Sequence, residues 1–125
     1  MAPRIKVLLA DDTPEIRMLL RFTLEQDDRF EIVGEAADGA EAVEMTASAL
    51  PDAVILDLAM PVMDGLQAIP HIKECCPDTK IVVLSGFQAS TMSEEAMSHG
   101  AHAYLEKGAG FTDIASTIAR VVEAA

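Results

Sequence analysis

Ala53-Val54-Ile55-Leu56-Asp57 sets an unbroken apolar run, β-branched at its centre, against a single carboxylate. A strand with no polar alternate has no wet face, so Ala53–Leu56 is predicted to be a central strand buried on both sides. Upstream, Asp38-Gly39 is a turn signal, and a helix is predicted from about Ala40 to Ser48, stopped before Pro51. Downstream, a loop with Pro61 and Asp64-Gly65 leads to a helix from about Leu66 to Cys75, which Cys76-Pro77-Asp78 ends. Lys80–Ser85 is a second buried strand. A weaker helix from about Ser90 to His99 stops at Gly100. Ala103–Glu106 is a short final strand, and a helix from about Phe111 to Val122 closes the pattern.

The N-terminal part has the same grammar. Ile5–Ala10 is an apolar run. Thr13 is placed to cap a helix with Pro14 at its first position, and Ile16, Leu19, Leu20, Thr23 and Leu24 recur at helical spacing until Gln26-Asp27-Asp28. Phe30–Ala36 alternates in part, as a strand nearer a sheet edge does. Five strands, each followed by a helix, predict an α/β fold: a parallel sheet with helices on both faces.

At 125 residues, half of them hydrophobic, the chain is expected to form one domain spanning 1–125 with its own core. The 21 acidic and 9 basic residues give a net charge of −12. Such a surface repels phosphate backbones and anionic lipid, so neither nucleic acid nor membrane is an expected direct partner. No apolar run approaches the roughly 20 residues needed to span a bilayer, and Asp11-Asp12 interrupts the only N-terminal apolar run too early for a signal peptide. The only cysteines, Cys75 and Cys76, are adjacent and build no disulfide framework, which points to the reducing cytoplasm.

Open parallel sheets bind ligands beyond the carboxyl ends of their strands. There the sequence places Asp11 and Asp12 after the first strand, Asp57 after the third, Ser85 at the end of the fourth and Lys107 after the fifth. One aspartate at a strand end ordinarily caps a turn or helix. Capping needs alone do not produce an acidic pair, a lone aspartate, a serine and a lysine at four different strand ends. Gathered carboxylates repel one another, and a hard divalent cation such as magnesium relieves that repulsion. An aspartate can also act as a nucleophile toward phosphorus, with Lys107 and Ser85 placed to bind the transferred group.

With those residues in view, the sequence resembles the receiver domain of two-component response regulators. The resemblance rests on Val7–Asp12, Gly34–Gly39, Ala53–Gly65, Val83–Gly86 and Ala103–Lys107 and covers essentially the whole chain. It implies a flavodoxin-like doubly wound sheet of order 2-1-3-4-5 with five helices. It implies that Asp57 accepts a phosphoryl group from a histidine kinase, a phosphotransfer protein or a small-molecule donor. Magnesium, or manganese in its place, would be held by Asp12, Asp57 and the Ala59 carbonyl, with Asp11 acting largely through water. Ser85 and Lys107 would bind the phosphoryl group. Ser85 and Tyr104 would form a switch that repacks the face of the fourth helix, fifth strand and fifth helix. That face would meet a downstream protein, an output domain or a second copy of the chain.

Two departures from the family pattern stand out. Gly108 follows Lys107 where a proline, often cis, is common, so a trans bond and a looser Lys107 loop are expected. Phe87, two residues past Ser85, is expected to slow hydrolysis of an aspartyl phosphate by shielding it from water.

Other readings fare less well. A phosphatase built on a strand-end aspartate needs a second acid two residues on, and here that position is Ala59. The chain is therefore expected not to be an enzyme beyond its own phosphorylation and dephosphorylation. A flavin carrier needs a phosphate loop where Asp11-Asp12 stands, and no glycine-rich nucleotide motif is present. A receiver-like module that is never phosphorylated would not need every chemical position kept. Met60 and Met63 are expected to fill the loop beside the site. Cys75-Cys76 should end a helix as partly buried thiols, and His99 and His102 should serve the helix end around Gly100 rather than a metal. Neither the kinase nor the output is written in the sequence.

Overall fold

The computed structural model describes residues 3–86 and 89–123. Its elements follow in strict alternation: β1 (Ile5–Ala10), α1 (Pro14–Glu25), β2 (Phe30–Ala36), α2 (Gly39–Ala49), β3 (Ala53–Leu56), α3 (Gly65–Cys75), β4 (Lys80–Ser85), α4 (Ala89–His99), β5 (Ala103–Glu106) and α5 (Phe111–Glu123). The strands form one parallel sheet in the order β2-β1-β3-β4-β5, the flavodoxin-like arrangement. β3 lies at its centre and is buried throughout, as its unbroken apolar run requires. The partly alternating β2 lies at an edge, and its pairing with β1 shifts by one residue after Val7.

Alternation along the strands splits the core in two. Leu8, Ala10, Val54, Leu56, Ile81 and Val83 pack with Ala42, Ile69, Ile72 and Ala96 under α2, α3 and α4. Val7, Leu9, Ile55, Val82 and Leu84 face the other way, against Leu20 and Leu24 of α1 and Ile114 and Ile118 of α5. Full burial of each such leucine, isoleucine or valine contributes roughly 1.5–3 kcal/mol, so the two clusters make the sheet a rigid platform for its loops.

Several helix starts differ from the sequence reading. Asp38 and Asp64 act as N-caps rather than simple turn residues. Asp38 Oδ1 accepts the Glu41 N–H at 2.8 Å. Asp64 and Gln67 form a reciprocal capping box with bonds of 2.9 and 3.1 Å. Thr13 occupies the expected cap position of α1, yet its hydroxyl caps nothing. The Ile16 N–H goes instead to the Thr13 carbonyl at 3.1 Å, while the hydroxyl turns toward Asp12 Oδ1 at 3.5 Å. Gly100 ends α4 at φ +122°, a conformation that suits glycine. His99 does serve that end, its Nδ1 lying 2.7 Å from the Glu95 carbonyl. His102 does not: its Nδ1 accepts the Ile81 N–H at 3.0 Å and so ties the start of β5 to β4. Of the two thiols at the end of α3, only Cys76 is buried, and Cys75 is exposed.

Candidate functional site

The sheet's hydrogen bonding runs on past the strand ends and carries the polar residues with it. The Asp11 N–H donates to the Ala36 carbonyl at 3.0 Å, Asp57 N–H to Ala10 at 2.9 Å, and Lys107 N–H to Ser85 at 2.7 Å. These bonds fix three loop backbones against neighbouring strands. Asp11, Asp57 and Ser85 are buried, while Asp12 is exposed. Carboxylate oxygens of Asp11, Asp12 and Asp57 lie within 4.8 Å of one another, the one such acidic or metal-ligating group among the described residues.

The two buried carboxylates are held alike. Asp11 Oδ1 accepts the Thr13 N–H at 2.9 Å, and Asp57 Oδ1 accepts the Ala59 N–H at 3.3 Å. Their Oδ2 atoms share one ammonium: Lys107 Nζ stands 3.0 Å from Asp11 and 3.2 Å from Asp57. Lys107, expected from the sequence to bind the transferred group, thus holds both buried carboxylates. No cis peptide bond occurs among the described residues, and nothing stands where a Cβ on Gly108 or Gly110 would lie. The Phe87 expectation concerns a residue outside those described.

One lysine does not balance three carboxylates, so these four side chains keep two negative charges. Burial, followed by the charge of Asp11, raises the Asp57 carboxyl above its ordinary range despite the pull of Lys107. For Lys107, burial would lower the ammonium, but its bond to Asp11 and the charges of Asp57 and Asp11 outweigh that and raise it. The donor set is entirely hard oxygen with surplus negative charge, which suits a small divalent cation.

Two supports escaped the sequence reading. A Cβ on Gly65 would stand 2.2 Å from the Asp57 carbonyl oxygen, so only glycine lets the first turn of α3 sit on the backbone of Asp57. The Arg17 guanidinium bonds both the Asp11 carbonyl oxygen and Glu35. The Asp-Gly pair carried a signal for the first. Nothing local pairs Arg17 with Glu35, which lies on another element.

The fold and this constellation define a class of signalling switch, and comparison with known proteins agrees. Residues 7–119 match the response regulator receiver domain, and the chain belongs to that family. It is 43% identical over 115 residues to the transcriptional regulatory protein PdtaR of Mycobacterium tuberculosis, covering 90% of this chain and 54% of that one. It is 38% identical over 114 residues to the transcriptional regulatory protein LiaR of Bacillus subtilis, covering 91% and 54%. The chain spans about half the length of the curated relatives it matches. A LuxR-family two-component response regulator from Aurantimonas sp. superposes with a TM-score of 0.90 at 28% identity, over 96% of this chain and 86% of that one. A chain of the CheX–CheY–BeF3–Mg2+ complex from Borrelia burgdorferi does so with a TM-score of 0.87 at 25% identity, over 94% and 88%. The protein is thus a receiver domain, a module of phosphorylation-dependent signalling. No helix among the described residues is long and apolar enough to cross a membrane.

Proposed function

We propose that Asp57 is the phosphoacceptor of this receiver. The observation that carries the reading is a buried aspartate at the end of the central strand, crowded by Asp11 and bridged by Lys107 at 3.2 Å. Burial and crowding destabilise its charge, and formation of an acyl phosphate moves charge off the carboxylate and onto the outer phosphoryl oxygens. A carboxylate oxygen of Asp57 attacks phosphorus as the bond to the donor's leaving group breaks. The leaving group, the imidazole of a phosphohistidine on a kinase or phosphotransfer protein or the acetate of acetyl phosphate, departs with the bonding pair. Lys107 and the Ser85 hydroxyl bind the phosphoryl oxygens.

Asp11, Asp12, Asp57 and the Ala59 carbonyl would hold magnesium, or manganese, with Asp11 acting largely through water. Bound there, the cation neutralises charge on the transferring phosphoryl group. Of the chain's own residues, Lys107 supplies positive charge and the Ala59 N–H orients Asp57. Ala59 supplies no acid, so the chain turns over no external substrate and catalyses only its own phosphorylation and dephosphorylation.

Ser85 and Tyr104 are the switch pair in this reading. Tyr104 is half-buried against the cluster that includes Val83, Ala96 and Ala101, so a change at Ser85 has a packed route to the face of α4, β5 and α5. That face would meet a partner protein, an output domain or a second copy of the chain. The surplus of acidic residues disfavours direct contact with nucleic acid, and the adjacent Cys75 and Cys76, which build no disulfide framework, support a cytoplasmic setting.

The test is intact mass after incubation with acetyl phosphate and magnesium. One phosphoryl adduct is expected in the wild type, none without magnesium and none in Asp57→Asn. An adduct that persists in Asp57→Asn would refute the assignment.

A further inference from the structure

We infer that Arg17, on the first turns of α1, is a positioning residue for the acidic cluster, acting on Asp12 through the main chain. Asp12 is the exposed member of the cluster and belongs to no strand. An exposed side chain on a loose loop loses conformational freedom when it must point into a site. Here both peptide groups flanking Asp12 are fixed. The one before it carries the Asp11 carbonyl, which accepts from Arg17 Nη1. The one after it carries the Thr13 N–H, which donates to Asp11 Oδ1 at 2.9 Å. Asp11 itself is pinned to β2 through its N–H and the Ala36 carbonyl at 3.0 Å.

The guanidinium is anchored in turn. Arg17 Nε lies 3.2 Å from Glu35 Oε1, and Arg21 Nη1 lies 2.7 Å from Glu35 Oε2. The Arg21 bond, and after it that of Arg17, holds the Glu35 carboxyl below its usual range despite its partial burial, so the anchor stays charged. Arg17 is mostly buried, with 17% of its side chain exposed, and so differs from a solvated surface arginine. The chain of contacts runs from β2 through Glu35 and Arg17 to the Asp11–Asp12 peptide, and it ends at a carboxylate of the cluster. The guanidinium presents its Nε–H and Nη1–H in a rigid planar fork that fixes the carbonyl relative to the carboxylate, whereas a lysine's ammonium is a point charge on a flexible stem and fixes neither.

The inference rests on the reading of the cluster as a magnesium site, and it makes a signed distinction. If Arg17 acted only through its charge, removing it would tighten cation binding to an acidic pocket. If it positions Asp12, removing it must weaken binding. Calorimetric titration of the whole chain with magnesium decides this. Arg17→Met keeps most of the stem and is expected to raise the dissociation constant about tenfold, the usual scale for a lost outer support of a metal ligand. Arg17→Lys keeps the charge without the fork and should fall between Met and wild type. Glu35→Gln leaves Arg17 in place but frees its anchor, and it should weaken magnesium binding in the same direction, which guards against misfolding of the arginine variants. The phosphorylation rate with acetyl phosphate should approach that of the wild type once magnesium saturates. Arg17→Met binding magnesium as tightly as wild type, or more tightly, would overturn the inference while leaving the site's assignment intact. A wild-type chain that takes up neither magnesium nor phosphoryl would overturn the site's assignment and this inference with it.

Discussion

Removing the charge of Asp57 without changing its shape should make the protein more stable. The working is Coulombic. At the effective dielectric of about 20 that suits such sites, two charges at 4.8 Å repel by about 3.5 kcal/mol, and Asp11 lies at most that far away. Asp12 is exposed and adds about 1 kcal/mol, the value in water. Lys107 at 3.2 Å returns about 5 kcal/mol of attraction. These terms nearly cancel, which leaves the cost of burying the charge, several kcal/mol for an ion this enclosed. Burial is also the first cause of the raised Asp57 carboxyl, ahead of Asp11.

Asp57→Asn keeps an acceptor for the Ala59 N–H and should gain about 2 kcal/mol after imperfect repairing of bonds. For a chain of 125 residues, that is a rise of about 7 °C in Tm. The assay is thermal unfolding at pH 7 in chelator. Because the folded-state carboxyl is raised, the unfolded state releases its proton first as pH climbs. Wild-type stability is therefore complete below the ordinary value of 3.8 and declines as pH rises through the folded value. The gap between variant and wild type should thus vanish in acid. It should also narrow in magnesium, since a cation at ten times its dissociation constant adds about 1.4 kcal/mol to the wild type and less to a variant lacking one ligand. A variant melting at or below the wild-type temperature at pH 7 in chelator would refute the reasoning.

Other perturbations follow from the same geometry. Gly65→Ala forces a Cβ to within 2.2 Å of the Asp57 carbonyl oxygen, and it should lose about 3 kcal/mol in urea unfolding and slow phosphorylation. Asp64→Ala removes one half of the α3 capping box and should lose about 1 kcal/mol in the same assay, with phosphorylation unchanged. His102 is lowered by burial and then by Lys73 and Lys80, and its Nδ1 must stay unprotonated to accept the Ile81 N–H. The unfolded state takes the proton first as pH falls below 6.5, so His102 draws stability away on acidification. Asp57 acts in the opposite sense, so the measurement is a difference: between about pH 7 and about pH 5 the wild type should lose stability relative to His102→Gln.

The sheet was legible because its signal is local and repeated. Ala53–Leu56 has no polar residue and lies at the centre, while Phe30–Ala36 alternates and lies at an edge. The acidic cluster was legible because strand ends are where such a sheet gathers side chains, and Asp11, Asp12, Asp57, Ser85 and Lys107 all fall there. The unread parts depend on contacts across elements. The Thr13 hydroxyl was free to choose between its own helix and Asp12, and sequence does not weigh that choice. His102 was read by its nearness to Gly100, whereas its partner, Ile81, is a strand neighbour 21 residues away. The second hold of Lys107, on Asp11, likewise joins residues far apart in sequence.

That second hold bears on how the site is poised. Lys107 Nζ sits between the Oδ2 atoms of Asp11 and Asp57, so at rest one cation serves two buried anions. Each loses part of its compensation whenever the ammonium moves toward the other. Charge arriving on Asp57 as a phosphoryl group would draw Lys107 away from Asp11, and the acidic pair would then depend more heavily on a divalent cation. Magnesium and phosphoryl should therefore support one another at this site, by a coupling that is necessarily reciprocal. Lys107→Ala severs the exchange. In that variant, magnesium should bind more tightly before phosphorylation, because the competing ammonium is gone, and should gain less affinity afterwards. A variant whose magnesium affinity rises on phosphorylation as steeply as that of the wild type would show that the coupling runs through some other group.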